Sequence, residues 1–431
     1  MANVAEILGA VVESDRILTP ESLDLPTYLT PAAVVYPTTE AELSAVMACA
    51  HQHRWRVIPC GSGSKLAWGG IGAGVDLMVS TARLNQVIDH AVGDMTLTAQ
   101  AGVKLADLVP RLAQHNQFLA VDPAYADQAT LGGIVATGDT GALRQGYGGL
   151  RDMLIGIFFG RYDGAIAKAG GRVVKNVAGY DLMKLLTGSY GTLGVISQLT
   201  FRLYPVQDGS KTVVVTGEAS SVDALASALR RSPLTPVALD ILSPVLTKHL
   251  GYGERLALLA RFQSIGPGVE EQVNTLREMA GTAAGTALST QVLEGADDVQ
   301  IWATVQDALL QKTAAPEPEP EPAIVAKVGL SPAQAVAWLD QLPPGSWARL
   351  HAASGIGTVR LVAATAETVE QLRRRCTMAG GYLTLLEAPL SLKKTVDVWG
   401  YSGDALGTMK ALKAQFDPYN TLSPGRFVGG L

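Results

Sequence analysis

Cysteine is scarce in this 431-residue chain: Cys49, Cys60 and Cys376 are the only three, at spacings that fit neither a disulfide framework nor a metal site. An iron–sulfur centre takes four thiolates, more than the chain holds. Histidine is nearly as rare. The six, His51, His53, His90, His115, His249 and His351, include no His-x-x-x-His pair, and none is expected beside a second histidine across a strand. No metal site is therefore expected. Basic blocks are missing as well: Lys+Arg 34 against Asp+Glu 39 gives a formal charge of −5 at pH 7, which argues against nucleic acid as a partner. Nowhere do eighteen apolar residues run uninterrupted, and MANVAEILGAVVESDR lacks the basic and apolar regions of a secretory leader. The chain reads as cytoplasmic, with membrane association only through a partner.

What the chain does have is glycine and apolar bulk. With 48% hydrophobic residues it can fill more than one core, and its length predicts about two or three domains. Thr39-Glu40-Ala41-Glu42 reads as a capping box, and Leu43, Val46, Met47 and Ala50 follow at helical spacing to an end near His53. Strands are expected at Trp55 to Ile58, stopped by Pro59, then at Asp76 to Ser80 and Met95 to Gln100, where Met95, Leu97 and Ala99 alternate with polar residues. Val103 to His115 has a helical spacing. Beyond Pro205 the expected elements are helices at Ser221 to Arg231 and Pro267 to Ala280, and strands at Arg255 to Phe262 and Thr358 to Ala364. Alternating Pro and Glu from Pro316 to Pro322 predict an extended, solvated loop.

Three glycine-rich regions stand out. Gly61-Ser62-Gly63-Ser64-Lys65 follows a strand and offers unhindered backbone N–H groups, two hydroxyls and a cation, a set suited to a diphosphate. A Rossmann turn is excluded because Leu66 stands where the third glycine belongs and the chain continues Trp68-Gly69-Gly70, which starts no stable helix. A Walker A loop is excluded by spacing. The second region is Asp127-Gln128-Ala129-Thr130-Leu131-Gly132-Gly133 running to Gly141, with Tyr147-Gly148-Gly149-Leu150-Arg151-Asp152 behind it. The third, Gly170 to Leu203, puts six glycines in thirty-four residues, with Gly188, Gly191 and Gly194 at three-residue spacing before a β-rich run.

Taken in this order, the three regions resemble the flavin-cradling segments of the vanillyl-alcohol oxidase and p-cresol methylhydroxylase superfamily. Lys175-Asn176-Val177-Ala178-Gly179-Tyr180-Asp181-Leu182, with Phe416-Asp417-Pro418 and Ser423-Pro424-Gly425-Arg426, is similar to the FAD-binding E subunits of bacterial glycolate oxidases (glycolate dehydrogenases). The resemblance implies an α+β fold: an FAD-binding domain of two α+β subdomains over residues 1–207, and an α/β cap with an antiparallel sheet over 208–390. The cap would carry a Pro-Glu-rich loop at 314–323, and residues 391–431 would pack back on the FAD domain. It implies FAD held by Cys60, Gly61, Ser62, Gly63, Ser64 and Lys65, by Thr130, Leu131, Gly132, Gly133, Ala136, Thr137, Gly138, Thr140 and Gly141, and by Gly194, Val195 and Ile196.

Four departures qualify that expectation. Ser64 stands where some relatives bond a histidine to the flavin, so the FAD is expected to be non-covalent. Cys60 replaces an arginine, which shifts load to Lys65 and the backbone. Tyr190 replaces a glutamate and Ser423 an asparagine. The implied function is oxidation of glycolate to glyoxylate in a complex with a paralogous FAD-binding D subunit and an iron–sulfur F subunit. The alternatives are a stand-alone FAD-dependent hydroxy-acid or alcohol oxidoreductase, and a non-catalytic FAD-carrying scaffold. No catalytic acid or base is assigned: His351, where relatives have metal-binding histidines, reads chiefly as a strand histidine. Arg144 reads either as facing the flavin or its substrate carboxylate or, at least as well, as a structural partner of Asp139 or Asp152, and Tyr180 and Asp181 read as loop-fixing residues.

Overall fold

The structure, a computed structural model, describes residues 4–171, 179–282, 288–310 and 323–431. It divides into two compact units, Met1–Thr140 with Gly148–Val206 and Tyr401–Leu431, and Gly141–Tyr147 with Gln207–Gly400. The Pro-Glu loop falls almost wholly outside the described residues, as do residues 175–178 of the segment KNVAGYDL.

In the first unit, the helix Glu40–Gln52 begins at Thr39, whose hydroxyl accepts from the Glu42 N–H at 3.1 Å. Glu42 Oε2 in turn accepts from the backbone N–H (2.6 Å) and hydroxyl (2.9 Å) of Thr38, so the expected capping box reaches one residue further back. Leu43, Val46, Met47 and Ala50 are buried against Val35, Val57, Leu77 and Val79. Leu43, Val46 and Met47 each contribute roughly 1.5–3 kcal/mol by leaving water. These partners belong to a four-stranded sheet in the order Ile17–Leu18, Ala33–Val35, Leu77–Ser80, Val57–Cys60, the last three parallel.

Pro59 does not stop its strand, as the sequence had led us to expect, but lies within Val57–Cys60. The strand is at the sheet's edge, where a missing N–H leaves no ladder bond broken. Residues 421–423 line that edge at Val57 only: the Val57 N–H donates to Thr421 O (2.7 Å) and the Ser423 N–H to Val57 O (2.8 Å).

A second sheet, antiparallel throughout, runs Val87–Ala91, Thr96–Gln100, Val195–Arg202, Leu154–Gly160, Ile166–Gly170. Its Thr96–Gln100 strand is buried on both faces despite its polar alternation. Thr98 and Thr200, directly opposite in register, satisfy each other's hydroxyls at 3.0 Å. The expected helix after it spans Leu105–Ala113, with Leu105, Leu108 and Leu112 buried.

The second unit is one eight-stranded antiparallel sheet, in the order Ser289–Glu294, Gly209–Gly217, Leu256–Ser264, Ala238–Leu242, Trp347–His351, Ile356–Leu361, Ile324–Gly329, Tyr382–Glu387. Alternation sorts its faces. Val213, Leu239, Leu258, Leu350 and Val359 face an apolar core shared with the helices Ala219–Arg230, Gly266–Thr282 and Ala366–Met378. Thr212, one residue out of phase with Val213, bonds instead to Asp298 (2.6 Å) and Trp302 (2.8 Å) of the helix Ala296–Leu310, which lies on the other face.

Candidate functional site

The strand Val57–Cys60 delivers the glycine-serine loop, and three side-chain hydroxyls fix it, two on its own carbonyls and one reaching out to Gln128. Ser80 donates to Gly61 O (2.8 Å), Thr81 to Cys60 O (3.2 Å), and Ser62 itself to Gln128 O (2.7 Å). Among the described residues, the backbone N–H groups of Ser62, Gly63, Ser64 and Lys65 donate to no protein acceptor. Four consecutive unpaired donors are costly unless they meet water or an anion. Gly63, at φ +88°, supplies the left-handed step this loop needs.

These donors border a cleft lined by backbone and small side chains from three regions of the sequence. The cleft brings the three sequence-predicted regions together: Cys60 to Lys65, then Thr130, Gly132, Gly133, Ala136 and Thr137, then Gly194, Val195 and Ile196 all line it. Four expected residues do not. Leu131 is turned by the phase of the helix Leu131–Thr137 into the apolar interior, and Gly138 ends that helix in the left-handed region at φ +62°. The Thr140 carbonyl accepts from the Asp122 N–H (3.0 Å), and Gly141 belongs to the second unit.

Several walls were not foreseen. Ile58, Pro59, Leu66, Trp68, Thr81 and Ala129 extend the known segments, whereas Tyr190, Gly191, Ser423 and Arg426 close the cleft from elsewhere in the chain. The sequence had marked Tyr190 and Ser423 as departures without placing them here. Both adopt left-handed backbone, at φ +53° and +46°, a conformation that residues other than glycine seldom take without strain. Arg426, buried, donates to the carbonyls of Leu66 and Trp68, each at 2.7 Å, and burial pulls its guanidinium below the usual arginine range.

Close packing explains two of the glycines. A Cβ on Gly61 would overlap the Thr130 hydroxyl, and one on Gly194 would stand 2.7 Å from the Phe159 ring. Thr130 must stay there because its hydroxyl caps the helix Leu131–Thr137 through the Gly133 N–H, at 3.3 Å.

Lys65 is held differently from what the sequence implied. Its ammonium, on a side chain only 6% exposed, sits 2.8 Å from Asp139 Oδ2 as an ion pair without hydrogen-bond alignment. Burial pushes the Cys60 thiol up to about 12, against a smaller opposing contact from Ser80, so it lines the cleft as a neutral group.

In the second unit, His351 faces Asp240 across paired strands, with Nδ1 2.6 Å from Oδ1. Burial pushes the Asp240 carboxyl up, but the His351 imidazole and the Arg349 guanidinium outweigh it and leave the carboxyl below its usual range. Arg144 is also in this unit, while Asp139 pairs with Lys65 and Asp152 accepts from the Gly149 N–H at 2.8 Å. Asp181 caps the helix Leu182–Leu186 through the Lys184 N–H, and Tyr180 is exposed. One histidine expectation is corrected: His90 and His115 do meet, with ring centroids 5.1 Å apart, because the helix Leu105–Ala113 returns the chain beside the edge strand. Among the described residues, no group of three His, Cys, Asp or Glu is placed to hold a metal, and no helix is long and apolar enough to cross a membrane.

Residues 31–170 match the FAD binding domain family. The chain is 25% identical over 422 residues to the glycolate oxidase subunit GlcD of Bacillus subtilis, covering 92% of this chain and 88% of that one. It is 28% identical over 352 residues to the glycolate oxidase subunit GlcE of Escherichia coli, covering 80% and 85%. A probable mitochondrial D-lactate dehydrogenase of Danio rerio is 32% identical over 271 residues, of which the chain spans only 53%. The structure of p-cresol methylhydroxylase with substrate bound superposes with a TM-score of 0.75 at 15% identity, over 98% of this chain and 95% of the other, and so shares the fold.

The cleft fits FAD on its own evidence. Four unpaired N–H donors and the Lys65 ammonium suit a diphosphate, and Ser423 Oγ, buried in the wall, has no hydrogen-bond partner among the described residues. FAD is the cofactor of this domain.

Proposed function

We propose that this chain, a flavoprotein whose FAD-binding domain has the p-cresol methylhydroxylase fold, serves in the oxidation of glycolate to glyoxylate as one subunit of a complex. The observation that carries the reading is the reach of the likeness. Two glycolate oxidase subunits match 92% and 80% of the chain, whereas the D-lactate dehydrogenase matches 59%. Oxidising a 2-hydroxy acid to its 2-oxo acid removes two electrons and two protons, and FAD when bound supplies the two-electron acceptor. The chain's own residues bind and orient: Ser62 to Lys65 offer backbone donors to the diphosphate, and Thr130 to Thr137 form a small-residue wall. Ser64 offers no imidazole for a covalent flavin bond, so the cofactor is held by contacts alone.

Electrons leave to a partner in this reading. The three cysteines fall short of the four thiolates that an iron–sulfur centre takes. A paralogous FAD-binding subunit and an iron–sulfur subunit complete the assembly. The test is anaerobic mixing of the purified chain, alone and with chains that co-purify, with glycolate and with D-lactate. Loss of the visible flavin absorbance with glycolate supports the proposal. FAD that stays oxidised with glycolate in every assembly overturns it, and bleaching by D-lactate alone would reassign the substrate.

A further inference from the structure

The helix Leu406–Phe416 carries a lysine at an unusual depth. Lys413 is 5% exposed, and each of its three ammonium protons has an acceptor: Thr192 O at 2.9 Å, Asp417 Oδ2 at 2.6 Å and Leu422 O at 2.7 Å. Asp417, 1% exposed, is equally occupied, accepting from the Thr421 hydroxyl through Oδ1 (3.0 Å) and from the Leu422 N–H through Oδ2 (2.7 Å). At one helical turn, i to i+4, such a pair would ordinarily be a surface ornament worth a few tenths of a kcal/mol. Here it is fully buried and fully bonded.

The two carbonyl acceptors lie on two separate pieces of chain, while Asp417 caps the helix that carries Lys413. Thr192 is in the glycine turn whose neighbours Gly191 and Gly194 line the cleft, and Leu422 immediately precedes Ser423, which lines it from the opposite piece of sequence. Both pieces hold strained backbone, at Tyr190 and Ser423, which persists only where surrounding contacts over-determine it. The Ser423 N–H bonds to Val57 O (2.8 Å), on the strand that delivers the phosphate loop. Leucine or methionine could fill the space of Lys413 without desolvating a charge. An apolar side chain could not bond two carbonyls in fixed register.

We propose that Lys413, fixed by Asp417, is the positioning residue of the flavin cleft: it ties the 190–196 turn to the 422–426 segment and sets the width of the cleft for FAD. The inference rests on FAD binding by this cleft and names no contact between Lys413 and the cofactor. The loss expected on removing the tie is one of preorganisation, since walls free to shift by an ångström bind and orient less well.

The test uses the full-length chain and K413M, with FAD affinity from flavin fluorescence, the circular dichroism of the bound flavin, and the melting temperature with and without FAD. K413M is expected to bind FAD at least about tenfold more weakly and to change the flavin dichroism. Unchanged affinity and dichroism, with only a lower melting temperature, would make the pair purely structural and overturn the proposal. Should K413M not fold, T421V removes only the hydroxyl on Asp417, and about a two- to fivefold weaker affinity is expected at unaltered far-ultraviolet dichroism. Wild-type affinity in T421V would then overturn it. A wild-type chain that takes up no FAD defeats the cofactor reading itself, a result distinct from either.

Discussion

Lys65 Nζ and Asp139 Oδ2 lie 2.8 Å apart, and the same carboxylate oxygen accepts the Ala124 N–H at 2.8 Å. The one cation of the phosphate loop is thus partly neutralised by the far end of the segment that forms the opposite wall. A diphosphate in this loop would draw its charge-assisted bonds chiefly from the four backbone donors, with Lys65 shared between it and Asp139.

Lys65→Met tests that division. One charge-assisted hydrogen bond contributes roughly 1.5–3 kcal/mol, so FAD affinity should fall by about ten- to a hundredfold in a titration followed by flavin fluorescence. An unchanged affinity would mean that Lys65 serves Asp139 alone.

Gly61→Ala probes the closeness of the loop to Thr130. The added methyl overlaps the Thr130 hydroxyl, and overpacking of this kind costs about 1–3 kcal/mol. The melting temperature and the FAD occupancy of the purified protein should both drop. Gly171→Ala is the control, because a Cβ there meets no atom of the described residues within 4 Å and φ is not positive. A stable, fully loaded Gly61→Ala would contradict the packing described.

Much of this site could be read from the chain because its chemistry is local. Gly61 to Lys65 and Thr130 to Thr137 are runs whose glycines, hydroxyls and turn residues act within a few positions of one another. Ser423 and Arg426 escaped because they reach the cleft from more than two hundred residues beyond Ile196, and no local pattern records such a closure. Lys413 and Asp417 escaped for the opposite reason: an i, i+4 ion pair looks like a solvated helix face, and only the fold reveals its burial. His90 and His115 meet through a returning helix, and Pro59 stays in a strand because that strand is an edge. The sequence marked strands at Arg255 to Phe262 and Thr358 to Ala364 in the second unit, but it could not say which face of their sheet the helix Ala296–Leu310 would cover.

Asp76 gives a pH dependence of stability. The Arg56 side chain clasps it through Nη2 at 2.7 Å and Nε at 2.9 Å, holding its carboxyl below the usual range against the opposing effect of burial. A depressed folded pKa means the stabilisation is complete above the unfolded value, about 3.9, and is lost as pH falls through the folded value. Both side chains reach solvent, which limits the contribution to about 1 kcal/mol or less. Asp76→Asn should therefore lower the melting temperature at pH 7 and flatten its decline below pH 4. An identical acid profile in the variant would remove Asp76 from the account.

Asp240→Asn examines the second unit. Asp240 is fully buried between His351 and Arg349, whose Nε lies 3.8 Å from Oδ2, and Arg349 also reaches Gln306 on the helix Ala296–Leu310. Asparagine keeps the volume but removes the charge that compensates a guanidinium only 4% exposed. Breaking a buried pair from one side costs about 3–5 kcal/mol, whereas a loss of packing alone would be near zero for this nearly isosteric change. Urea unfolding should show the second unit melting at markedly lower denaturant. Adding Arg349→Met should recover part of the loss, since it removes the uncompensated charge. Additive losses in the double variant would show that Asp240 acts through its hydrogen bond to His351 and not through Arg349.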